Sequence, residues 1–164
     1  MHGFPPIAGA TARTLILGTM PGQASLAAGQ YYAHPRNAFW PILGALLGFD
    51  PAAPYEHRVA CLMASDIALW DVLRRCRRRG SLDHDIDRTS IAANDFATFF
   101  ARHPGIDRVY FNGAGAETLY RRHVLRPGDR SVRRTGVRLP STSPAHAALS
   151  LAAKRAAWRV LRRG

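Results

Sequence analysis

The stretch RTLILGTMPG, residues 13–22, joins a run of apolar side chains to a turn of small residues. Leu15, Ile16 and Leu17 form the apolar run and Gly18 ends it, a pattern typical of a buried β-strand. In open α/β sheets, ligands bind beyond the carboxyl ends of the strands. We therefore expect the turn that follows this strand to lie at a binding site.

Strand-like and helical patterns alternate along the rest of the chain. Further strands are predicted at 66–73, at 107–113 and at the start of 136–144. Helices are predicted at 37–48, 55–65, 94–104, 114–124 and 145–163. This alternation implies right-handed crossovers and a mainly parallel sheet with helices on both faces. No repeat or linker interrupts the pattern, so we expect a single α/β domain over residues 1–164.

The composition fits a soluble globular protein. Of 164 residues, 47% are hydrophobic and 21% are charged, and no apolar run approaches the roughly 18 residues of a membrane helix. The first residues lack the charged and apolar regions of a secretory signal. The two cysteines, Cys61 and Cys76, show no spacing typical of a zinc or iron–sulfur site. We expect a cytoplasmic protein without a bound metal.

Basic residues outnumber acidic ones: 23 Lys and Arg stand against 11 Asp and Glu, a formal net charge of +12. Such a surface attracts polyanions, and arginine makes bidentate contacts with phosphate. The basic runs RRCRRRG, residues 74–80, and RRG at the C-terminus are either solvated faces or phosphate contacts. An arginine- and alanine-rich background, typical of a high-GC genome, explains the charge about equally well.

Four segments follow the predicted strands directly and should meet at one edge of the sheet. They are residues 18–25, 71–76, 112–116 and 141–146. The aromatic stretch QYYAHPRNAFW, residues 30–40, is expected beside them. Small-residue turns and hydroxyl groups there would let a phosphate backbone approach closely, with helix N-termini directed at it.

Three motifs occur in order along the chain: GTMPG at 18–22, YYAHPRNAFW at 31–40 and LPSTSPAH at 139–146. Together they resemble the uracil-DNA glycosylase superfamily, and within it the hypoxanthine-DNA (deoxyinosine) glycosylase branch. The resemblance implies a parallel four-stranded sheet between helices and hydrolysis of the N-glycosidic bond of a deaminated base, with no cofactor. The implied partner is double-stranded DNA that contains a damaged base, and we expect a monomer.

The first motif departs from the pattern of most branches. The residues implied to line the floor of the base pocket are Gly18, Thr19, Met20, Pro21 and Gly22. Most branches carry an Asp or Asn at the third position to handle the attacking water, and Met20 offers no such group. The hypoxanthine branch resembles this chain in that respect, and its catalytic polar residue matches Asn37. Because an amide is a feeble general base, we predict that Asn37 positions the water.

Three further residues are implied to contact the base, which has to leave the duplex stack to reach them. Tyr32 matches the aromatic residue that stacks on the base, and such stacking is worth roughly 1–3 kcal/mol per base. Asp71 matches a position where other members carry a base-reading Asn, and its carboxylate could accept from N1–H of hypoxanthine. Asn112, at the end of the next strand, could donate to O6 or N7.

The motif before the last helix is implied to enter the minor groove and to bind phosphates. Its predicted DNA contacts are Ser141, Thr142, Ser143, Pro144 and His146. Several families carry a His or Asn at the position of Ser141. A hydroxyl stabilises an anionic leaving group less than an imidazole does, so other groups must supply part of that stabilisation.

Structural alternatives compete with these assignments. Asn37 is also well placed as the N-cap of the helix predicted to follow it. Asp71 could pair with an arginine, and Asn112 could shape a turn. Phe39 and Trp40 are expected to pack in the core.

Two functional alternatives stay open beside hypoxanthine excision. One is a mismatch-type uracil-DNA glycosylase, against which the apolar Met20 argues. The other is a catalytically silent DNA-binding module that keeps the fold without the chemistry.

Overall fold

The structure is a computed structural model that describes residues 1–126, 131–132 and 136–162. Its strands are β1 (Thr14–Gly18), β2 (Ile67–Asp71), β3 (Leu73–Arg78), β4 (Ile86–Ala93), β5 (Arg108–Asn112) and β6 (Gly136–Leu139). Its α-helices are α1 (Gln23–Ala28), α2 (Phe39–Leu47), α3 (Tyr55–Ala64), α4 (Phe96–Arg102), α5 (Ala114–His123) and α6 (Leu151–Trp158). Short 3-10 helices cover Asp83–Asp85 and Arg159–Arg162. Within these ranges, no helix is both long enough and apolar enough to span a membrane.

The central sheet has four parallel strands in the spatial order β2-β1-β5-β6. Strand β1 pairs with β2 on one side and with β5 on the other, and all five of its residues are buried. The prediction of a mainly parallel four-stranded α/β sheet is confirmed.

Side chains of β1 alternate between two hydrophobic cores. Leu15 and Leu17 pack in a core that side chains of α4 and α5 complete. Ile16 faces the other way, into a core completed by α2, α3 and α6. Because successive side chains of a strand point to opposite faces of the sheet, helices cover both faces, as predicted. A strand covered on both faces needs a continuous apolar run, which is what β1 has.

The strand predicted over 66–73 extends two residues too far. β2 ends at Asp71, and the chain then forms a separate antiparallel hairpin from β3 and β4. The basic segment 74–80 therefore lies mostly in β3. Cys76 and Arg78 are buried there, while the other arginines of the segment are exposed. Register shifts interrupt the pairing of β3 with β4, so the sequence lacks the regular alternation that marks a strand.

The C-terminal helix predicted over 145–163 is much shorter than expected. α6 begins at Leu151, where the Ser150 hydroxyl accepts a hydrogen bond from the Ala153 N–H at 3.2 Å. The chain before Ser150 is a loop. The Lys154 ammonium holds this loop by donating to the main-chain carbonyls of Ser143 and His146. The last residue of the predicted helix, and the last two of the terminal RRG, lie outside the described residues.

Trp158 anchors α6 in the core. It is fully buried, its ring meets that of Phe39 edge-on at 6.0 Å, and its Nε1 donates to the Pro140 carbonyl at 2.9 Å. Trp158→Ala should lower the free energy of unfolding by about 3–5 kcal/mol, because it leaves a large cavity. Urea denaturation measures the loss. Leu151→Ala, at a position 49% exposed on the same helix, should change stability by no more than about 0.5 kcal/mol. Equal losses in both variants would contradict this account of the core.

Candidate active site

A cavity of about 1130 Å³ opens at the carboxyl edge of the central sheet. It is bordered by the residues that follow β1, β5 and β6, by residues 81–84 between β3 and β4, and by the segment before α2. Of the segment 71–76 that was predicted here, only Asp71, the last residue of β2, lines the cavity. The predicted site residues that line it are Gly18, Thr19, Met20, Pro21, Gly22, Tyr32, Asn37, Asp71, Asn112, Ser141, Thr142, Ser143, Pro144 and His146. Parallel strands bring their carboxyl ends to one edge, and this juxtaposes segments that are distant in the chain.

Gly18 ends β1 at a point where two side-chain oxygen atoms approach the backbone. A Cβ there would collide with Asp71 Oδ1 and would come within 2.7 Å of the Tyr32 hydroxyl. Close packing therefore requires glycine at this position. The missing side chain lets a carboxylate and a phenol converge in the wall of the cavity.

Asp71, the last residue of β2, is a buried carboxyl in the wall of the cavity. The residue is 3% exposed, and Oδ2 has no hydrogen-bond partner among the described residues. Burial raises the pKa of this carboxyl to about 7, and the negative charge of Asp83 adds to the rise while the Arg78 guanidinium opposes it. No ion pair joins Asp71 to an arginine in the part of the chain that the structure describes. The alternative of a simple salt bridge is therefore wrong for these residues.

Two charged residues that act on Asp71 were not predicted as site residues from the sequence, Arg78 and Asp83. Arg78 is the last residue of β3, and Asp83 begins the 3-10 helix between β3 and β4. Arg78 Nη2 donates to the Pro21 carbonyl at 2.5 Å, and Asp83 Oδ2 accepts from the Thr19 hydroxyl at 2.9 Å. The hairpin thus supports the loop of the first motif. Arg78 lies in the basic run 74–80, but no sequence pattern marks it as buried or Asp83 as part of the site, because the hairpin reaches the cavity only through tertiary packing.

Tyr32 has a left-handed backbone conformation, with φ at 55°, which is uncommon for an aromatic residue. Its ring stacks on Phe39, with centroids 4.1 Å apart and planes inclined by 21°. Burial, and after it the charge of Asp71, raises the pKa of the Tyr32 hydroxyl, so the phenol stays neutral at physiological pH. The half-buried ring also lines the cavity, in a position to contact a flat ligand.

Asn37 lies at the edge of the cavity, one position before the N-cap. α2 begins at Phe39 with Ala38 as its N-cap, so the N-cap prediction for Asn37 is wrong by one residue. Asn37 Oδ1 nevertheless accepts a hydrogen bond from the Phe39 N–H at 3.0 Å, as in an Asx turn. This bond orients the amide, and the carbonyl oxygen keeps a second lone pair for another donor.

Asn112 binds the loop that follows β6. Its amide donates to the Thr142 hydroxyl and its Oδ1 accepts from the Thr142 N–H, each at 2.9 Å. Thr142 is 1% exposed, so its side chain has no surface to offer a phosphate, and the prediction of a DNA contact through it is wrong. The Asn112 amide group has a second hydrogen in addition to the one that Thr142 accepts.

Lys154, the single lysine of the chain, holds the same loop from the other side. It is buried on α6, and its ammonium donates to the carbonyl oxygens of His146 at 2.7 Å and Ser143 at 3.4 Å. Its position on a basic helix gave no sign of burial, since lysine is almost never buried unless it is paired. The loop over 141–146 is therefore positioned by both β5 and α6.

Comparison with known proteins places this fold and site in a family. A family model described as the uracil DNA glycosylase superfamily matches residues 5–162. The chain belongs to the uracil DNA glycosylase superfamily. A protein named hypoxanthine DNA glycosylase from Methanosarcina barkeri is 38% identical over 113 residues, 68% of this chain and 70% of that protein. A second protein of that name, from Methanosarcina acetivorans, is 35% identical over 116 residues, 70% of this chain and 72% of that protein.

A solved structure agrees with this membership. The solution NMR structure of a protein from Methanosarcina acetivorans, described as a candidate uracil DNA glycosylase, matches with a TM-score of 0.77. The two chains are 32% identical, and the match covers 98% of each. The resemblance stated from the motifs is confirmed, and the chain is a DNA glycosylase, a hydrolase of N-glycosidic bonds.

In this glycosylase the first motif contributes no polar side chain at its third position. Met20 is 7% exposed and belongs both to the core and to the wall of the cavity. The polar groups of the cavity come instead from other segments, among them Asn37, Asp71 and Asn112. Within the described ranges, no cluster of His, Cys, Asp and Glu side chains is arranged to hold a metal ion.

Asp71 should make the glycosylase less stable as the pH rises. The pKa of this carboxyl is about 7 in the folded chain, against an ordinary 3.8, so the folded state binds more protons between these values. The free energy of unfolding should therefore fall from about pH 4 to about pH 7. Asp71→Asn removes this dependence, and the variant should gain up to about 4 kcal/mol on the wild type across that range. Urea denaturation at a series of pH values measures the difference.

Glu56→Gln is the matched control, because it removes an exposed carboxylate on α3. Its pH profile should follow that of the wild type. If the free energy of unfolding changed with pH in the same way for the wild type and Asp71→Asn, ionisation of Asp71 would not destabilise the folded state, and this prediction would be wrong.

Proposed function

We propose that this protein removes hypoxanthine from DNA by hydrolysing the N-glycosidic bond of a deoxyinosine that has turned out of the duplex into the cavity. The observation that carries the proposal is the buried Asp71 carboxyl, whose Oδ2 lacks a partner among the described residues. A buried acceptor without a donor is costly. A bound base that supplies an N–H group removes that cost, and N1–H of hypoxanthine is such a donor.

The choice of hypoxanthine among the deaminated bases rests on two facts. Similar proteins from two Methanosarcina species carry the name hypoxanthine DNA glycosylase, at 38% and 35% identity. Met20 also replaces the acid or amide of most branches in the first motif. Uracil presents an N–H beside a carbonyl as well, so Asp71 by itself does not select the lesion.

The base is held by its face and by its edge. Tyr32 stacks on it, and Phe39 supports the tyrosine ring from behind. Asp71 accepts from N1–H, and the second amide hydrogen of Asn112 donates to O6 or N7. Ser141, Ser143, Pro144 and His146 are the proposed contacts of the loop with the DNA backbone.

The reaction uses water as the nucleophile. Its oxygen bonds to C1′ of the sugar while the bond from C1′ to N9 breaks and leaves its electron pair on the base. The water proton passes to the base or to solvent, and the products are hypoxanthine and an abasic site. Asn37 holds the water through its carbonyl oxygen, which the Phe39 N–H orients.

Asn37→Ala should slow the excision of hypoxanthine about 100-fold or more, because the attacking water loses its positioning group. Single-turnover assays on duplexes with one hypoxanthine, uracil or xanthine, followed by alkaline cleavage of abasic sites, measure the rates. The wild type should act fastest on hypoxanthine.

Asp95→Ala is the matched control for Asn37→Ala, because each variant loses a side-chain acceptor of a main-chain N–H at the start of a helix. Asp95 Oδ1 accepts from the Thr98 N–H at 3.0 Å at the start of α4, and Asp95 does not line the cavity. Each variant should lose about 1 kcal/mol of stability, and only Asn37→Ala should lose excision. Full activity of Asn37→Ala would remove Asn37 from the chemistry. Binding of every lesion without scission by the wild type would favour the catalytically silent module.

The affinity for undamaged duplex should fall steeply with salt if the net charge of +12 serves DNA binding. Three phosphate contacts would weaken binding about 40-fold between roughly 50 and 200 mM salt, because counterions are released on binding. Fluorescence anisotropy with a labelled duplex measures this slope. An affinity independent of salt would assign the arginine excess to background composition.

A further inference from the structure

The cleavage proposed above leaves an electron pair on the base, and conjugation through the purine carries part of that negative charge to O6. A hydrogen-bond donor at O6 stabilises the departing base. A carboxylate beside it opposes departure, because like charges repel strongly where water is excluded. Asp71 lines the cavity and is 3% exposed. Its charge therefore decides whether it assists or opposes the cleavage.

The packing around Asp71 favours the uncharged form of its carboxyl group. Among the described residues, no ion pair reaches this group and no donor reaches Oδ2. Arg78 is the cation nearby, but its Nε donates to the Gly80 carbonyl at 2.8 Å and its Nη2 donates to the Pro21 carbonyl. A buried carboxyl group without a paired cation takes up a proton instead of remaining ionised.

The other ionisable groups that face Asp71 do not supply the missing positive charge. Asp83, in the 3-10 helix before β4, adds a second negative charge and so favours the protonated form. Tyr31 and Tyr32, before α2, have pKa values that burial raises, so both phenols are neutral at physiological pH. Burial and Asp83 raise the pKa of Asp71 to about 7 against the opposing charge of Arg78. The protonated form is therefore well populated near neutral pH.

The cavity also has side chains that can carry a positive charge, but they are less buried. His34 and His146 are half-buried, and Arg36 and His84 are exposed. Such positions suit contacts with phosphates. Of the acidic and basic side chains among the described residues that line the cavity, Asp71 is the buried one.

We propose that Asp71 holds hypoxanthine as a carboxylic acid, with one oxygen accepting from N1–H while the other donates its hydrogen to O6. The inference rests on the proposed function, because it requires hypoxanthine in the cavity. N1–H and the C6 carbonyl are adjacent on the base, so one carboxyl group can pair with both. The hydrogen remains on Asp71, and the bond to O6 stabilises the charge that the electron pair of the broken bond brings to the base. A carboxyl group that its site keeps neutral can act as such a donor.

The side chains of the cavity then have separate tasks. Asn37 holds the water, Tyr32 covers the face of the base, and Asp71 stabilises the base as it leaves. With O6 bound to Asp71, N7 remains for the second amide hydrogen of Asn112.

The test measures excision across the ionisation of Asp71 in the wild type and in Asp71→Asn, whose amide accepts from N1–H and donates to O6 at every pH. Single-turnover rates on a hypoxanthine duplex, at enzyme concentrations below saturation, report ionisation of the free protein. The ratio of the wild-type rate to the Asp71→Asn rate should fall about tenfold per pH unit above about pH 7, because only the wild type loses its donor. Ionisations shared by both proteins cancel in this ratio. A ratio that is constant or rises with pH would overturn the proposal.

Asp71→Leu separates the two hydrogen bonds from the shape of the side chain. Leucine branches at the same carbon but neither donates nor accepts, so excision should fall about 100-fold or more at every pH. Asp71→Asn should stay within about tenfold of the wild type below about pH 7, because it keeps both bonds. Equal losses in the two variants would also overturn the proposal, since a donor and an acceptor at this position would then not restore the reaction.

Asp83→Asn tests the same assignment without altering Asp71. The amide oxygen of the variant can still accept from the Thr19 hydroxyl, which now donates to Asp83 Oδ2 at 2.9 Å, but the negative charge is gone. The fall in the excision rate should therefore begin at a lower pH than in the wild type. Asp85→Asn is the matched control, because Asp85 is an exposed acid of the same 3-10 helix that does not line the cavity. Its rate should fall where that of the wild type falls, and an unshifted fall in Asp83→Asn would count against Asp71 as the titrating group.

A duplex that carries hypoxanthine on a 2′-fluorinated sugar distinguishes failure of this proposal from failure of the proposed function. The fluorine resists cleavage, because it destabilises the positive charge that develops on the sugar. Absence of hypoxanthine excision by the wild type would count against the proposed function, while the affinity for this duplex, measured by fluorescence anisotropy, would still report on Asp71. Relative to an undamaged duplex, binding should weaken above about pH 7 in the wild type and not in Asp71→Asn. Binding that strengthens with pH, or no preference for the lesion at any pH, would overturn the proposal.

Discussion

The close approach at Gly18 is the constraint on which the site depends. β1 lies between β2 and β5, and its register with β2 sets Gly18 opposite Asp71. The last residue of β1 has to pass directly beside the Asp71 carboxylate and the Tyr32 phenol, and a residue with a Cβ has no room there. The pairing of two strands thus delivers a carboxyl group and an aromatic ring to one wall of the cavity.

The same packing explains why the protein keeps a buried acid that lowers its stability at neutral pH. The nearby cation, Arg78, donates to the carbonyls of Pro21 and Gly80, so it moderates the charge of Asp71 without forming an ion pair. Carboxyl groups with perturbed pKa values concentrate at functional sites, where a bound ligand can offset the free energy that is lost by burying them.

Basic residues divide between the interior and the surface. Lys154 and Arg78 are buried and bind main-chain carbonyls, and in doing so they position the two rims of the cavity. The remaining arginines of β3 are exposed beside the hairpin tip. Part of the net charge therefore maintains the structure, and another part is free to meet a polyanion.

The sequence by itself determined the four strands of the parallel sheet, the helices α2 to α5 and three of the four segments that meet at the carboxyl edge of the sheet. Of the fourth segment, 71–76, only Asp71 lies at the cavity. Apolar periodicity and small-residue turns are local properties, and parallel pairing then decides which edge the turns share. The six residues of α1 are too few to show a period, and the hairpin of β3 and β4 is irregular in register, so neither was predicted. Only the tertiary structure decided which polar groups are buried. Thr142, Lys154 and Arg78 are buried because each is hydrogen-bonded to a residue that another segment of the chain supplies. Burial belongs to the packed chain and not to any one residue, and for that reason the raised pKa of Asp71 could not be read from the sequence.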